Sequence, residues 1–185
     1  IAAPDAPTQA VKPAAPAHPA ETAASPEVTG PSGGSEQNSQ VASTDRLPAP
    51  EPMSDTSFRW PVQGRIVSNF GTKPDGGHND GVDVAVPAGT QVKAAENGVV
   101  AYAGNELKGY GNLVLIRHAN NWVSAYANND EILVKRGDQV RRGQIIAKAG
   151  ASGQVGQPQV HFELRKGSRP VDPTKYMSST QASAD

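Results

Sequence analysis

The stretch GVDVAVPAGTQVKAAENGVVAYAG, residues 81–104, decides the fold class of this chain. It contains three short runs rich in valine and alanine, which are separated by Pro-Ala-Gly at 87–89 and by Glu-Asn-Gly at 96–98. Valine-rich runs that are broken at close spacing by turn-forming residues are typical of short antiparallel strands. The stretch therefore predicts strands at 81–86, 90–95 and 98–104.

The same pattern extends on both sides, from Phe58 to Met177, without a sustained apolar period of 3.6 residues. Further strands are predicted at 64–70, 112–119, 122–128, 144–150 and 159–165. One helical turn is predicted at 172–177, with Asp172 as its cap and Pro173 as its first residue. The predicted fold class is all-β, an antiparallel sheet arranged as a sandwich or a barrel-like structure.

The first 57 residues have a different composition. They hold ten of the sixteen prolines, and Leu47 is their only leucine or aromatic residue. Such a segment buries too little apolar surface to offset its chain entropy, so residues 1–57 are predicted to be a disordered linker that the fold does not need. PDAP and PAAP fit a proline-rich docking peptide only loosely. Residues 58–177 are predicted to form the folded domain and residues 178–185 a flexible tail.

The charge follows the same division. Residues 1–57 carry seven acids and two bases, net −5, whereas residues 58–177 carry ten acids and fifteen bases, net +5. A basic domain suits an anionic partner, but the sequence contains no nucleic-acid-binding motif. The absence of cysteine excludes disulfides and thiolate metal sites. No apolar run approaches the roughly 20 residues of a membrane helix. Since the chain starts at Ile1, we expect it to be a mature or trimmed fragment.

The order of the motifs resembles the LytM, or lysostaphin-like, metallopeptidase domain. The resemblance covers residues 58–177 and is carried by the opening stretch, by VKRGDQVRRGQIIAKAG at 134–150 and by HFELR at 161–165. It implies the fold of peptidoglycan hydrolases that cut peptide cross-links with one zinc ion.

The resemblance also assigns five positions to the family's functional site, and only two of them keep the expected residue. Asp83 and His161 match an aspartate ligand and a histidine ligand of zinc. Asn79 stands where the first histidine ligand is expected, and Asn128 and Gln159 replace two further histidines. An amide oxygen is a weak ligand for zinc and cannot exchange a proton near neutral pH. We therefore expect neither a metal nor another cofactor, no catalytic residue and no enzymatic activity.

Of the remaining histidines, His78 is the candidate to substitute for a missing ligand. His78 precedes Asn79 by one residue, and a shift of the turn could bring it into a set with Asp83 and His161. An exposed loop histidine is the simpler interpretation of His78. His118 is predicted to be a strand-end residue that is hydrogen-bonded near the former cleft, and His18 lies in the linker.

Within the family, YAGNELKGYGNLVLIRHANNWVSAYANND at 102–130 resembles the degenerate NlpD/EnvC-like branch, and NlpD most closely. This resemblance implies a periplasmic activator of a zinc-dependent N-acetylmuramoyl-L-alanine amidase, acting in cell division, cell separation and cell wall remodelling. The vacated cleft would bind a regulatory segment of the amidase through Asn79, Asp83, Asn128, Gln159 and His161.

Two alternatives stay open. The cleft could hold peptidoglycan without a regulatory role, or His78 could support a residual zinc endopeptidase. Peptidoglycan is also a further partner under the activator hypothesis. A membrane would be reached only through an N-terminal anchor outside this chain, on the inner or the outer membrane.

Overall fold

A computed structural model describes residues 46–179, and the predictions for residues 1–45, His18 among them, and for residues 180–185 lie outside this range. The described part contains no α-helix and folds into antiparallel strands, which confirms the predicted fold class. It also contains no helix that is long and apolar enough to cross a membrane. The strands are β1 (Arg65–Ser68), β2 (Gly71–Thr72), β3 (His78–Asn79), β4 (Val82–Ala85), β5 (Gln91–Lys93), β6 (Gly98–Gly104), β7 (Asn112–Arg117), β8 (Trp122–Ile132), β9 (Gln139–Val140), β10 (Ile145–Ala149), β11 (Gln159–Lys166) and β12 (Arg169–Val171).

Ten of these strands form one sheet. Its main path runs β1-β4-β11-β8-β7-β6-β9, while β10 pairs with both β5 and β8, and β12 pairs with β11. Strands β2 and β3 form a separate two-stranded sheet. The four short strands β2, β3, β9 and β12 were not predicted from the sequence, since none exceeds three residues. Short 3-10 turns occur at Ala119–Asn121 and at Pro173–Lys175. The second confirms the predicted turn, and the Asp172 side chain accepts a hydrogen bond from the Thr174 N–H at 3.0 Å.

The alternation of side chains along β11 places apolar residues on the core face and polar residues on the opposite face. In β11, Val160, Phe162 and Leu164 are fully buried and join the main hydrophobic cluster. Because successive side chains of a strand point to opposite faces, Gln159, His161 and Glu163 face the other way. Burial of each large apolar side chain contributes roughly 1.5–3 kcal/mol, which fixes the register of the strand and therefore the positions of the polar residues.

The segment 52–57, called the strap from here on, makes contacts with the domain predicted to begin at residue 58. Met53 packs against the core, and the Pro52 carbonyl accepts a hydrogen bond from the Asn97 side chain at 3.1 Å. The Ser54 N–H and hydroxyl both donate to Oε1 of Glu96, at 2.8 and 2.7 Å. Composition did not reveal these contacts because the strap contributes one apolar side chain and several hydrogen bonds, not a hydrophobic run.

Candidate functional site

Strands β4, β8 and β11 build a polar cleft of about 480 Å³. In the antiparallel register, His161 of β11 lies directly opposite Asp83 of β4 on one side and Ala127 of β8 on the other. The turn before β4 and the loops at 109–110 and 154–156 complete the walls. All five residues singled out in the sequence line this cleft: Asn79, Asp83, Asn128, Gln159 and His161.

His161 is held between two carboxylates. Its Nδ1 lies 2.7 Å from Oδ1 of Asp83, and its Nε2 lies 3.0 Å from Oε1 of Glu163. A carboxylate oxygen only accepts hydrogen bonds, so the ring must carry a proton on both nitrogens to satisfy both contacts. Burial opposes that charge, but the hydrogen bonds to the two carboxylates outweigh it and raise the pKa of His161 to about 9. Asp83, His161 and Glu163 are called the His161 cluster below.

Asn79 completes the support of Asp83. Its Nδ2 donates to Oδ2 of Asp83 at 3.1 Å and to the Ser68 hydroxyl at 2.9 Å. Its Oδ1 accepts the Gly81 N–H at 3.1 Å, which closes the turn that leads into β4. Both amide protons and the carbonyl of Asn79 are therefore used inside the protein. Asn79 therefore supports both Asp83 and the turn before β4.

Glu163 was not singled out in the sequence, although it is 2% exposed and central to the site. Arg165 donates to its Oε2 through both Nε and Nη2, each at 2.7 Å. Burial alone would raise the pKa of Glu163, but the hydrogen bonds from His161 and Arg165 hold it below the ordinary value. The sequence could have indicated Glu163, because residues 161, 163 and 165 alternate along one strand and therefore share one face with His161.

Two further residues extend the network to the rim of the cleft. The Tyr110 hydroxyl donates to Oε1 of Glu163 at 3.4 Å, and burial followed by the charge of Glu163 raises the pKa of Tyr110. Nη2 of Arg165 lies 3.8 Å from Oδ2 of Asp80. The floor of the cleft is thus a continuous chain of polar contacts, which fixes its shape.

Asn128 lies where β8 changes partners. Up to Ala127, β8 pairs with β11, and from Asn129 onward it pairs with β10. Asn128 has φ 66°, in the left-handed region that asparagine tolerates better than most residues, and this bend redirects the strand. Its side-chain oxygen lies against Gly153, where an added Cβ would be 2.1 Å away. The positive φ therefore restricts which residues can replace Asn128, in addition to any role of its side-chain amide.

Within residues 46–179, two further histidines lie outside the His161 cluster, one exposed and one buried. The side chain of His78 is 55% exposed at the rim of the cleft, with its Nε2 3.4 Å from Oδ1 of Asp80. His118 directly follows the end of β7, is buried against Phe58 of the main hydrophobic cluster, and is not among the residues that line the cleft. Its Nδ1 lies 2.7 Å from the Asn97 carbonyl, and its Nε2 lies 2.7 Å from the Ser124 hydroxyl. Burial lowers the pKa of His118 to about 4.

These residues do not fit a zinc ion. Both nitrogens of His161 donate to carboxylates, so the protonated ring has no lone pair to offer a metal. A zinc ligand must instead present a free lone pair. Over residues 46–179, neither the His161 cluster nor any other three histidine, aspartate or glutamate side chains are arranged as a group that could hold a metal ion. The imidazolium occupies the place between the carboxylates that a cation would need.

Comparison with known proteins identifies the family of this domain. Residues 77–173 match the model of peptidase family M23. The chain is 44% identical over 122 residues to the cell division protein DipM of Caulobacter vibrioides, covering 63% of this chain and 20% of DipM. It is 40% identical over 122 residues to the murein hydrolase activator NlpD of Escherichia coli, covering 66% and 31%. It is 45% identical over 124 residues to outer membrane antigenic lipoprotein B of Haemophilus influenzae, covering 67% and 30%. The chain thus spans a fifth to a third of the length of these relatives.

Solved structures give the same result. A zinc-containing peptidase from Vibrio cholerae has a TM-score of 0.58 and 35% identity, covering 63% of this chain and 39% of that one. The catalytic domain of lysostaphin from Staphylococcus simulans has a TM-score of 0.59 and 30% identity, covering 61% and 91%. Since the family match extends over more than half of the chain, the protein belongs to peptidase family M23.

Proposed function

We propose that this domain is a non-catalytic regulator that activates a zinc-dependent N-acetylmuramoyl-L-alanine amidase in the periplasm during cell division. The observation that carries the proposal is the His161 cluster, in which an imidazolium fills the space between Asp83 and Glu163. A protonated, doubly hydrogen-bonded imidazole can neither bind zinc nor act as a general base. The domain thus keeps the cleft of the family, but His161 cannot supply the zinc binding or proton transfer that cleavage needs.

The relatives support this proposal. One is named as a murein hydrolase activator, a second as a cell division protein and a third as an outer membrane lipoprotein. In the proposed mechanism the cleft binds a regulatory segment of the amidase in its open state better than in its closed state. This difference in affinity shifts the amidase toward the open, active population.

A second candidate function, the holding of peptidoglycan, is favoured by a separate groove of about 820 Å³. The groove is lined by Arg59, Lys93 and Arg142, and by one acidic residue, Asp55. Among the described residues neither Arg59 nor Lys93 forms an ion pair, so both charges are available to a carboxylate-bearing wall peptide. Such binding is compatible with the regulatory role, because it uses a different surface.

Release of dye from labelled sacculi tests the regulatory role. The domain alone is expected to release none, the amidase alone little, and the mixture several-fold more than the amidase alone. Gln159→Arg should abolish the stimulation because it places an unpaired charge in the cleft, which costs several kcal/mol against a bound partner. Gln139→Arg, an exposed position on β9, is the matched control and should stimulate like the natural sequence.

The two functions separate in the same assay. Arg59→Glu combined with Lys93→Glu should weaken sedimentation of the domain with sacculi while leaving amidase stimulation intact. Loss of stimulation in this double variant together with full activity of Gln159→Arg would show that the groove, and not the cleft, contacts the amidase.

A further inference from the structure

The polar side chains of the cleft fall into two groups. The first group, Asn79, Asp83 and His161, is hydrogen-bonded inside the protein. Its members bond to one another and to Ser68, Gly81 and Glu163. The side chains of Asn128 and Gln159 donate and accept no hydrogen bond within residues 46–179. The first group shapes the floor, and the second is left to meet a partner.

The two unpaired carboxamides differ in burial but share the cleft. Asn128 is 3% exposed and lines the cleft, and its amide atoms are not among the buried side-chain atoms that lack a partner over residues 46–179. Its amide therefore reaches the cleft without using a hydrogen bond inside the protein. Gln159, at the start of β11, is partly buried and lines the same space.

The two side chains lie where the pairing of β8 with β11 ends. The last pair that joins these strands is Ala127 with His161. The left-handed bend at Asn128 sends β8 toward β10, whereas Gln159 pairs with Ala85 on one side and forms an isolated bridge with Gly150 on the other. Both carboxamides line the opening of the cleft at the end of the paired region.

The charges of the floor cancel. Asp83 and Glu163 are balanced by His161 and Arg165, each of which contacts one or both of the carboxylates. A floor with no net charge offers no ion-pair partner to a charged group, which would lose its hydration on entry. The floor itself is therefore suited to hydrogen bonding with a neutral group, while the charged Lys73 and Asp80 lie elsewhere on the cleft lining.

We propose that Asn128 and Gln159 recognise a main-chain peptide group of the segment that enters the cleft. The N–H and C=O of a trans peptide point in opposite directions, so one peptide group in the opening can donate to one carboxamide and accept from the other. A side-chain carboxamide presents its donor and acceptor at one end and would engage only one of the two. The proposal rests on the proposed function for the identity of the partner, but not for the chemistry of recognition.

Amidase stimulation is the first test. Gln159→Met keeps the shape of the side chain without hydrogen bonding, and Asn128→Asp removes the donor while tolerating the positive φ. Each should raise the concentration of domain needed for half-maximal stimulation about tenfold. Gln139→Met and Asn121→Asp are matched controls, because Gln139 is exposed and Asn121 is exposed with φ 62°. Both controls should behave like the natural sequence.

A second test needs no amidase. The side-chain NH₂ signals of Asn128 and Gln159 in ¹⁵N–¹H spectra should shift when N-acetylglycine N-methylamide is added at millimolar concentration. Acetate, methylammonium and acetamide at the same concentration should shift them less. The proposal is overturned if the charged probes or acetamide match the peptide probe, if the peptide probe moves neither signal, or if Gln159→Met and Asn128→Asp both stimulate fully. Failure of the natural sequence to stimulate any amidase would instead remove the proposed function, and the spectra would still decide this inference.

Discussion

Nδ1 of His161 lies 2.7 Å from Oδ1 of Asp83, across the antiparallel pairing of β11 with β4. Two residues that match zinc ligands of the family are thus hydrogen-bonded to each other. Glu163 completes the arrangement on the other ring nitrogen, at 3.0 Å.

The first prediction concerns the pKa of His161. Glu163→Gln removes one of the two carboxylates that stabilise the imidazolium, so the pKa of His161 should fall from about 9 toward its ordinary value. A pH titration of the ring followed by NMR measures this change. Asp138→Asn, at a half-buried carboxylate that pairs with Lys135 and does not line the cleft, is the control and should leave the titration unchanged. A ring that titrates near 6.5 in the natural sequence would contradict the clamped geometry.

The second prediction is a loss of stability at alkaline pH. The pKa of His161 is raised in the folded state, so its contribution is fully present below about 6.5 and is lost as pH rises through about 9. The contribution is about 3 kcal/mol at most, from roughly 1.4 kcal/mol per pKa unit. Urea unfolding at pH 6 and at pH 9.5 measures it. His161→Gln should remove this dependence, and an equally steep loss in that variant would assign it to another group.

The third prediction is a loss of stability at acid pH from His118. Burial lowers its pKa to about 4, so the unfolded chain binds a proton first as the pH falls. The contribution of the neutral ring is therefore full above about 6.5 and declines as pH falls toward 4, by at most roughly 1.4 kcal/mol per pH unit. His118→Gln should unfold at a lower urea concentration at pH 7 but show a flatter decline between pH 6.5 and 4. An unchanged decline would show that His118 does not titrate in this range.

The fourth prediction concerns the strap. A chain that begins at Phe58 loses Met53 from the core and the two hydrogen bonds from Ser54 to buried Glu96. The free energy of unfolding should fall by about 2–4 kcal/mol. A chain that begins at Arg46 keeps these contacts and is the control, and its thermal transition should match that of the full sequence. Equal melting of the two shortened chains would show that the strap contributes nothing.

The sequence predicted the parts of the molecule that depend on repeated apolar patterns. Eight strands, from 64–70 to 159–165, appear where valine-rich runs alternate with turn residues. The strap escaped prediction because its stability comes from hydrogen bonds to one distant carboxylate, Glu96.

Five of the residues that line the cleft were expected from the sequence, but Glu163 and the hydrogen bonds among these residues were not. Alternation along β11 and the motif frame brought all five expected residues to one cleft. That Asn79 braces Asp83, whereas Asn128 and Gln159 remain unpaired, depends on the turn at 79–81 and on the bend of β8. Such backbone angles cannot be obtained from residue types alone.

The most direct test of the central claim is the ¹⁵N spectrum of the His161 ring at pH 7, recorded before and after addition of one equivalent of zinc. The structure predicts that both ring nitrogens carry protons and that their shifts do not change with zinc, because Asp83 and Glu163 accept both N–H bonds. A nitrogen that loses its proton and moves to a metal-bound shift would contradict the claim that an imidazolium has taken the place of the metal.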